Sequence, residues 1–474
     1  MTPIIKTSDT PDIQVSFNAV YIWAISIVAA LGGLLFGYDW VVIGGAKPFF
    51  ERYFHLTDAT QSGWANSCAL IGCLVGALIA GALSDKYGRK RLLVFSAFWF
   101  AVTSIGNALA PTFLIFVTWR ILGGVAIGLA SNLSPMYIAE VAPAGWRGRL
   151  VSINQLTIVI GILLAQYLNW FLVRGLPAGA SAEYIASSWY GQTGWRWMFA
   201  LTAIPSLFFL FGMLFVPESP RWLVKNGRED LARRVLARIG GETYAQAEVG
   251  DVQSTLASQE IQHVRFQDLL EPRMRKVLVL GIVLAVFQQW CGINVIFNYA
   301  EEIFRAAGYD ISDVLKNIAW TGSVNLVFTF VALGVVDRGG RRVLMLLGAA
   351  GLAVIYTMMG LCYQSGVKGV PMLLLVLAAI GCYAMSLAPV TWVVVSEIFP
   401  NRIRGAAMSV AVTSLWIACF ILTYTFPLLN SHLGPAGTFW LYAAICVAGL
   451  VFIFAKLPET KGKTLEQIEK ELVD

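Results

Sequence analysis

The chain of 474 residues is 57% hydrophobic and only 13% charged, with a mean hydropathy of +0.69. Soluble domains average about 25% charged residues, so this composition excludes an ordinary water-soluble enzyme and a disordered or nucleic-acid-binding chain. The formal net charge of +6 says less than the positions of the charges along the chain. The composition indicates a protein whose natural solvent is lipid.

Apolar runs of about twenty residues recur along the chain, and a helix of that length crosses the hydrocarbon core of a bilayer. We predict an all-α membrane protein in which residues 20–216 form one six-helix bundle and residues 277–457 form another. Residues 217–276 are predicted to be a short helical connector, and residues 1–19 and 458–474 are predicted to be cytoplasmic tails. The twelve predicted spans are 20–46, 64–84, 92–110, 113–139, 150–172, 196–216, 277–300, 317–336, 343–363, 371–396, 406–429 and 437–456.

Lys and Arg are distributed unequally between alternate predicted loops. Most lie on the side of the two termini, including the run at 86–91 and the connector. Because basic loops are retained in the cytoplasm, we expect a multi-pass plasma (inner) membrane protein with both termini cytoplasmic, acting as a monomer. The seven cysteines lie in apolar runs without metal-ligand spacing, so we expect neither a metal site nor a cofactor.

The two predicted bundles carry the same charged motifs at corresponding places. GALSDKYGRKR at 81–91 and GVVDRGGRR at 334–342 both follow the second span of a half. PESPR at 217–221 and PETKG at 458–462 close the two halves. The repetition indicates that a six-helix unit was duplicated in the same orientation.

A further pair of repeated charges lies after the fourth span of each half. Glu140 precedes Arg147 by seven positions, and Glu397 precedes Arg404 by seven positions. Charges at a span end often serve only as orientation anchors, but duplication favours ion pairs that close the cytoplasmic face and break when it opens. The predicted gate residues are Asp85, Arg89, Glu140, Arg147, Asp337, Arg341, Glu397 and Arg404.

These motifs, in this order and together with QQWCGIN at 288–294, resemble the sugar porter family of the major facilitator superfamily over nearly the whole chain. The pattern is most similar to the bacterial proton-coupled D-xylose symporters, which are themselves similar to the facilitative glucose transporters of animals. The resemblance implies the twelve-helix fold with two pseudo-symmetric bundles. It also implies that the protein is a secondary active transporter rather than an enzyme, with a monosaccharide and a proton as its partners.

Amide side chains within the spans need hydrogen-bond partners, because lipid offers none. Amides both donate and accept hydrogen bonds, as a sugar hydroxyl requires, and an aromatic face can cover the C–H side of a pyranose ring. Such amides can instead bond a neighbouring helix, and Gly292 is predicted to interrupt the seventh span between two of them. With the resemblance, the predicted sugar-binding residues are Phe36, Gln155, Gln288, Gln289, Asn294, Asn298, Asn325, Trp392 and Trp416.

Four positions depart from the xylose-symporter pattern. Asn298 stands where the pattern has Tyr, Leu387 where it has Trp, Ala388 where it has Gly, and Leu415 where it has an amide. A missing polar partner can discriminate strongly between similar ligands. The sugar therefore stays open among xylose, glucose and other pentoses or hexoses.

Asp39 is a carboxylate within the first span, where a charge is costly and indicates function. Arg120, in the fourth span, is the natural partner, because opposite charges in lipid should pair. The resemblance assigns both positions to proton coupling in the symporters, whereas uncoupled relatives carry an uncharged residue in place of Asp39. The alternatives are an ion pair that only fixes helix packing, an uncoupled sugar uniporter and a membrane sugar sensor that does not transport.

Overall fold

Apolar helices make up nearly all of the structure, a computed structural model that describes residues 16–177, 179–261, 269, 271–400 and 403–461, with 463, 467, 471 and 472 of the tail. Within this part of the chain, eleven helices are long and apolar enough to cross a membrane. The last of them, Ala406–Lys456, is broken at Gly434, where φ is 68° and ψ is 172°, and so supplies two crossings. The predicted twelve-span, all-α fold is confirmed.

The described residues of the first half form eight helices and one short π-helical segment, Tyr190–Gly194. These helices are α1 Ala19–Tyr53, α2 Ala59–Tyr87, α3 Arg89–Leu109, α4 Phe113–Val141, α5 Arg147–Val173, α6 Ala182–Ser187, α7 Trp195–Ala200 and α8 Ala203–Phe215. The connector contributes α9 Pro220–Lys225 and α10 Glu229–Ile261. The second half consists of α11 Pro272–Trp290, α12 Ile293–Asn298, α13 Ala300–Ala306, α14 Ile311–Gly339, α15 Arg341–Gln364, α16 Val370–Met385, α17 Leu387–Ile398 and α18 Arg404–Lys456.

The first span is longer than its apolar run. The prediction ends it at residue 46, before Lys47, whereas α1 continues through Pro48 to Tyr53. The polar side chains of this last part find partners inside the protein, since Lys47 lies 3.7 Å from Glu51 and also bonds Glu302 of the second half. The last part of α1 therefore does not have to be apolar, because its polar side chains are bonded within the protein.

Glycines four residues apart bring α2 and α4 into backbone contact. A Cβ at Gly72 would lie 2.0 Å from the carbonyl oxygen of Ile121, and a Cβ at Gly124 would lie 2.0 Å from that of Ala69. No side chain fits at such distances. Small residues at this spacing let membrane helices pack closely.

Two spans of the second half are discontinuous. Gly292 separates α11 from α12 with a left-handed backbone, at φ 87°, which is the interruption expected from the sequence. A Cβ at this position would also meet the Tyr442 ring at 2.9 Å. Ser386 separates α16 from α17. Both breaks change the direction in which the following side chains project.

The connector packs under the first half. Leu236 and Ile239 of α10 are 2% and 0% exposed within an apolar cluster of the first half, and the Asn18 N–H donates to the carbonyl of Ile239 at 2.8 Å. Leu231, which shares their helical spacing, is 41% exposed. We call the end of the bundle that carries α9 and α10 the connector face and the other end the opposite face.

Candidate functional site

Asp39 and Arg120 form a buried ion pair between α1 and α4. The Arg120 Nη1 donates to Asp39 Oδ1 at 2.7 Å, and the two residues are 3% and 6% exposed. The guanidinium also lies 5.5 Å from the centre of the Phe199 ring. Two charges withdrawn from water in this way compensate each other only while they stay together.

The amides at the break between α11 and α12 form one hydrogen-bonded chain. The Asn294 amide donates to Gln289, whose Nε2 donates to Gln288 Oε1 at 2.5 Å. The Gln288 Nε2 then donates to the Tyr383 hydroxyl of α16 at 2.7 Å. Tyr383 is not among the predicted sugar-binding residues. Its hydroxyl within the tenth predicted span was the signal that could have identified it.

Aromatic residues also connect the two halves. The Phe36 ring on α1 and the Trp416 ring on α18 have centroids 5.8 Å apart in an edge-on arrangement. Trp416 is 6% exposed and belongs to the apolar cluster of the first half. Trp392 on α17 is 39% exposed, so the two predicted tryptophans occupy different environments.

The remaining predicted amides are dispersed. Gln155 is half-buried on α5, and Asn325 is buried on α14. Gln166, three turns from Gln155, donates to Thr321 of the second half at 3.2 Å. Asn298 lines a small cavity with Phe36, Asp39 and Arg120.

At the connector face of the first half, Glu140 and Glu218 accept hydrogen bonds from residues at the start of α3. Arg89 Nε lies 3.1 Å from Glu140 Oε2, and the Ser219 hydroxyl also donates to Glu140. Glu218 accepts the backbone N–H groups of Arg89 and Lys90, both at 3.0 Å. The PESPR motif therefore joins the first turn of α3 to the end of α4.

The second half repeats this geometry. Arg341 Nη2 lies 3.6 Å from Glu397 Oε1, and the Thr460 hydroxyl donates to Glu397 at 2.6 Å. Glu459 accepts the N–H groups of Arg341 at 2.9 Å and Arg342 at 3.2 Å. The predicted gate residues Asp337 and Arg404 lie outside the residues whose side chains the structure describes.

Glu218 and Glu459, which accept the N–H groups at the starts of α3 and α15, differ in the direction of their pKa shifts. Burial raises the pKa of Glu218 above its usual range, against the N–H groups that lower it. Burial also acts to raise the pKa of Glu459, but the N–H groups of Lys461, Arg341 and Arg342 outweigh it and lower the pKa. The glutamate carboxylate of this motif is therefore more buried in the first half than in the second.

The gate residues of the first half, Asp85, Arg89, Glu140 and Arg147, line a cavity of about 620 Å³ between that half and the connector. Asp85 forms ion pairs with Arg89 at 3.0 Å and with Lys225 of the connector at 2.9 Å. Arg147 donates to the carbonyl oxygen of Ala139 at 3.1 Å, whereas Glu140 is held by Arg89. Glu140 and Arg147, which are seven positions apart in the sequence, therefore bond different partners in this state.

At the opposite face, the two halves are joined by charges that sequence reasoning missed. Lys47, which is 2% exposed, bonds Glu302 of α13 and lies 5.2 Å from the centre of the Tyr299 ring. Asn430 of α18 donates to the same glutamate at 3.4 Å. The sequence signal was a lysine directly after an apolar run, interpreted as a loop residue.

A family model described as "Sugar (and other) transporter" matches residues 25–472. The D-xylose-proton symporter of Escherichia coli (strain K12) is 38% identical over 489 residues, covering 96% of each chain. The chain belongs to the sugar transporter family. It is a multi-pass membrane transporter and not an enzyme, which confirms the resemblance found in its motifs.

Other members of the sugar transporter family are similar over the same length. The arabinose-proton symporter of Bacillus subtilis (strain 168) is 37% identical over 456 residues, covering 96% of each chain. A solved structure titled as the inward open conformation of the xylose transporter XylE from E. coli has a TM-score of 0.82 at 36% identity. It covers 95% of this chain and 100% of the other.

Proposed function

We propose that this protein is a proton-coupled monosaccharide symporter that imports its sugar by alternating access. The observation that carries the proposal is the buried pair of Asp39 and Arg120, joined at 2.7 Å within the first half. Relatives of similar length are named as symporters of D-xylose and of arabinose with a proton. A carboxylate placed in this way is a proton-binding group that a conformational change can switch.

The switch follows from the environment of Asp39. Burial favours the neutral acid, whereas contact with the Arg120 guanidinium favours the carboxylate. A state in which the two separate binds a proton, and a state in which they meet releases it. Each charge moved through about 100 mV is worth about 2.3 kcal/mol, enough for roughly 50-fold accumulation of sugar.

The sugar site comprises the amides of α11 and α12 with neighbouring groups from both halves. Gln288, Gln289 and Asn294 are joined in one hydrogen-bonded chain, and Trp416 on α18 contacts Phe36 of the first half. Gln155, Asn325 and Trp392 complete the proposed set. Relatives named for xylose, arabinose and glucose support a pentose or hexose as the substrate.

We assign the connector face to the cytoplasm, because it carries most of the basic loop residues. Both termini then lie in the cytoplasm, and the protein acts as a monomer in the plasma (inner) membrane. The repeated clusters at this face, including Asp85, Arg147, Asp337 and Arg404, form the cytoplasmic gate. The ion pair of Lys47 with Glu302 at the opposite face supports a state that is open toward the cytoplasm.

Proteoliposomes loaded to impose a proton gradient test the proposal. Wild-type protein should accumulate sugar, and Asp39→Asn should retain sugar exchange while losing accumulation. Asp58→Asn is the matched control, since Asp58 is an exposed cap of α2. Unchanged accumulation in Asp39→Asn would remove this residue from the mechanism, and wild-type transport indifferent to the gradient would establish the uncoupled uniporter instead.

A further inference from the structure

A cavity of about 20 Å³ lies beside the ion pair of Asp39 and Arg120. Its walls come from α1, α2 and α4 of the first half, and Asn298 of α12 covers it from the second half. One water molecule needs at least about 10–15 Å³ of such space, whereas a sugar or a buffer anion needs far more. The volume alone restricts the ligand to water or a single ion.

Three polar atoms of residues lining this cavity have no hydrogen-bond partner among the described residues. They are the Arg120 Nε, the Asn66 Oδ1 and the Asn298 Oδ1, on residues that are 3%, 4% and 4% exposed. The amide orientation of Asn66 is supported by its Nδ2, which donates to the carbonyl oxygen of Ser62 at 2.9 Å. Buried polar groups are rarely left without a partner.

The chemistry of these atoms selects between the ligands that the volume allows. The Arg120 N–H is a donor next to a full positive charge, which repels a cation. The two amide oxygens are acceptors, and together with the Asp39 carboxylate they repel an anion. A neutral molecule that accepts one hydrogen bond and donates two satisfies all three atoms, and water does this.

We propose that one water molecule occupies this cavity and links Asn298 to the Asp39–Arg120 pair. Asn298 is then a positioning residue for coupling rather than a sugar contact, an inference that rests on the proposed function. Because Asn298 belongs to the second half, separation of the halves at the opposite face carries it away. The water then loses a partner, and the ion pair gains access to bulk solvent when that face opens.

Two variants at this position test the role of Asn298 in proteoliposomes. Asn298→Leu keeps the volume but removes the hydrogen bonds, and it should lower gradient-driven accumulation several-fold more than sugar exchange. Asn298→Ser keeps a group that bonds water and should restore most of the accumulation. An equal loss of exchange and accumulation would make Asn298 a sugar contact, and no change in either would overturn the proposal.

A crystal or cryo-EM map that shows ordered water elsewhere in the protein tests the ligand itself. The expected result is density within hydrogen-bond distance of the three atoms in the wild type. A dry cavity in such a map would overturn the proposal, and so would density at ionic coordination distances. The map does not depend on transport. Failure of the proposed function would appear separately, as wild-type sugar uptake that is the same with and without the proton gradient.

Discussion

The ammonium of Lys47 on α1 is bonded to the carboxylate of Glu302 on α13, so one ion pair joins the two halves at the opposite face. Lys47 is 2% exposed, and Asn430 of α18 also bonds Glu302. Opening of this face must separate these groups and expose both charges to water. The pair therefore biases the protein toward the state that is open at the connector face.

Lys47→Met should shift the conformational equilibrium toward opening at the opposite face. Removing one member of a buried ion pair leaves the other uncompensated, at about 3–5 kcal/mol. Interspin distances across this face, measured by pulsed electron paramagnetic resonance, should lengthen.

Arg305→Met is the matched control for this prediction. It removes the partner of Glu301 within the single helix α13, at 3.0 Å, and should leave the interspin distances unchanged. The reversed pair of Lys47→Glu with Glu302→Lys should restore them. If Lys47→Met also leaves them at the wild-type values, the pair does not hold the halves together.

Gln289→Ala should weaken sugar binding about tenfold, the effect of losing roughly one hydrogen bond. Gln289 both accepts from Asn294 and donates to Gln288, so its loss also disorders its neighbours. Equilibrium binding of xylose, glucose, galactose, fructose and arabinose would measure the effect and identify the sugar. Gln192→Ala, at an exposed position, should bind as wild type, and wild-type affinity in Gln289→Ala would reject the site.

Glu218→Ala should lower the free energy of unfolding by about 2 kcal/mol, because the carboxylate accepts two backbone N–H groups at the start of α3. Glu459→Ala should have a smaller effect, since its carboxylate is the less buried of the two. Thermal unfolding in detergent would compare them with Glu183→Ala, whose side chain is exposed. A larger effect for Glu459→Ala would contradict the assigned order.

Gly124→Ala should destabilise the protein by about 1–3 kcal/mol through overpacking. The new Cβ would lie 2.0 Å from the backbone oxygen of Ala69, so α2 and α4 would have to move apart. Gly334→Ala makes the same change where no atom lies within 4 Å, and it should be neutral or stabilising by up to about 1 kcal/mol. Equal melting temperatures for the two variants would show that the helices can relax freely.

The positions of the spans followed from the sequence, because the length of an apolar run is a local property of the chain. The break at Gly292 and the close packing at Gly124 also depend on a local property of the chain, because each requires a residue without a Cβ. Asp39 and Arg120 are 81 residues apart, yet their pairing was expected because few other charges lie in the spans of that half.

Contacts between helices that each have several polar residues were decided only by the tertiary structure. Lys47 and Glu302 are 255 residues apart, and Lys47 had been interpreted as a loop residue. Asn298 lines the cavity beside the ion pair with residues of α1, α2 and α4, and the Tyr383 hydroxyl bonds Gln288, although Tyr383 was not among the predicted residues. Helical spacing sets the direction of a side chain around its own axis, but only packing of the two halves determines which helix it meets.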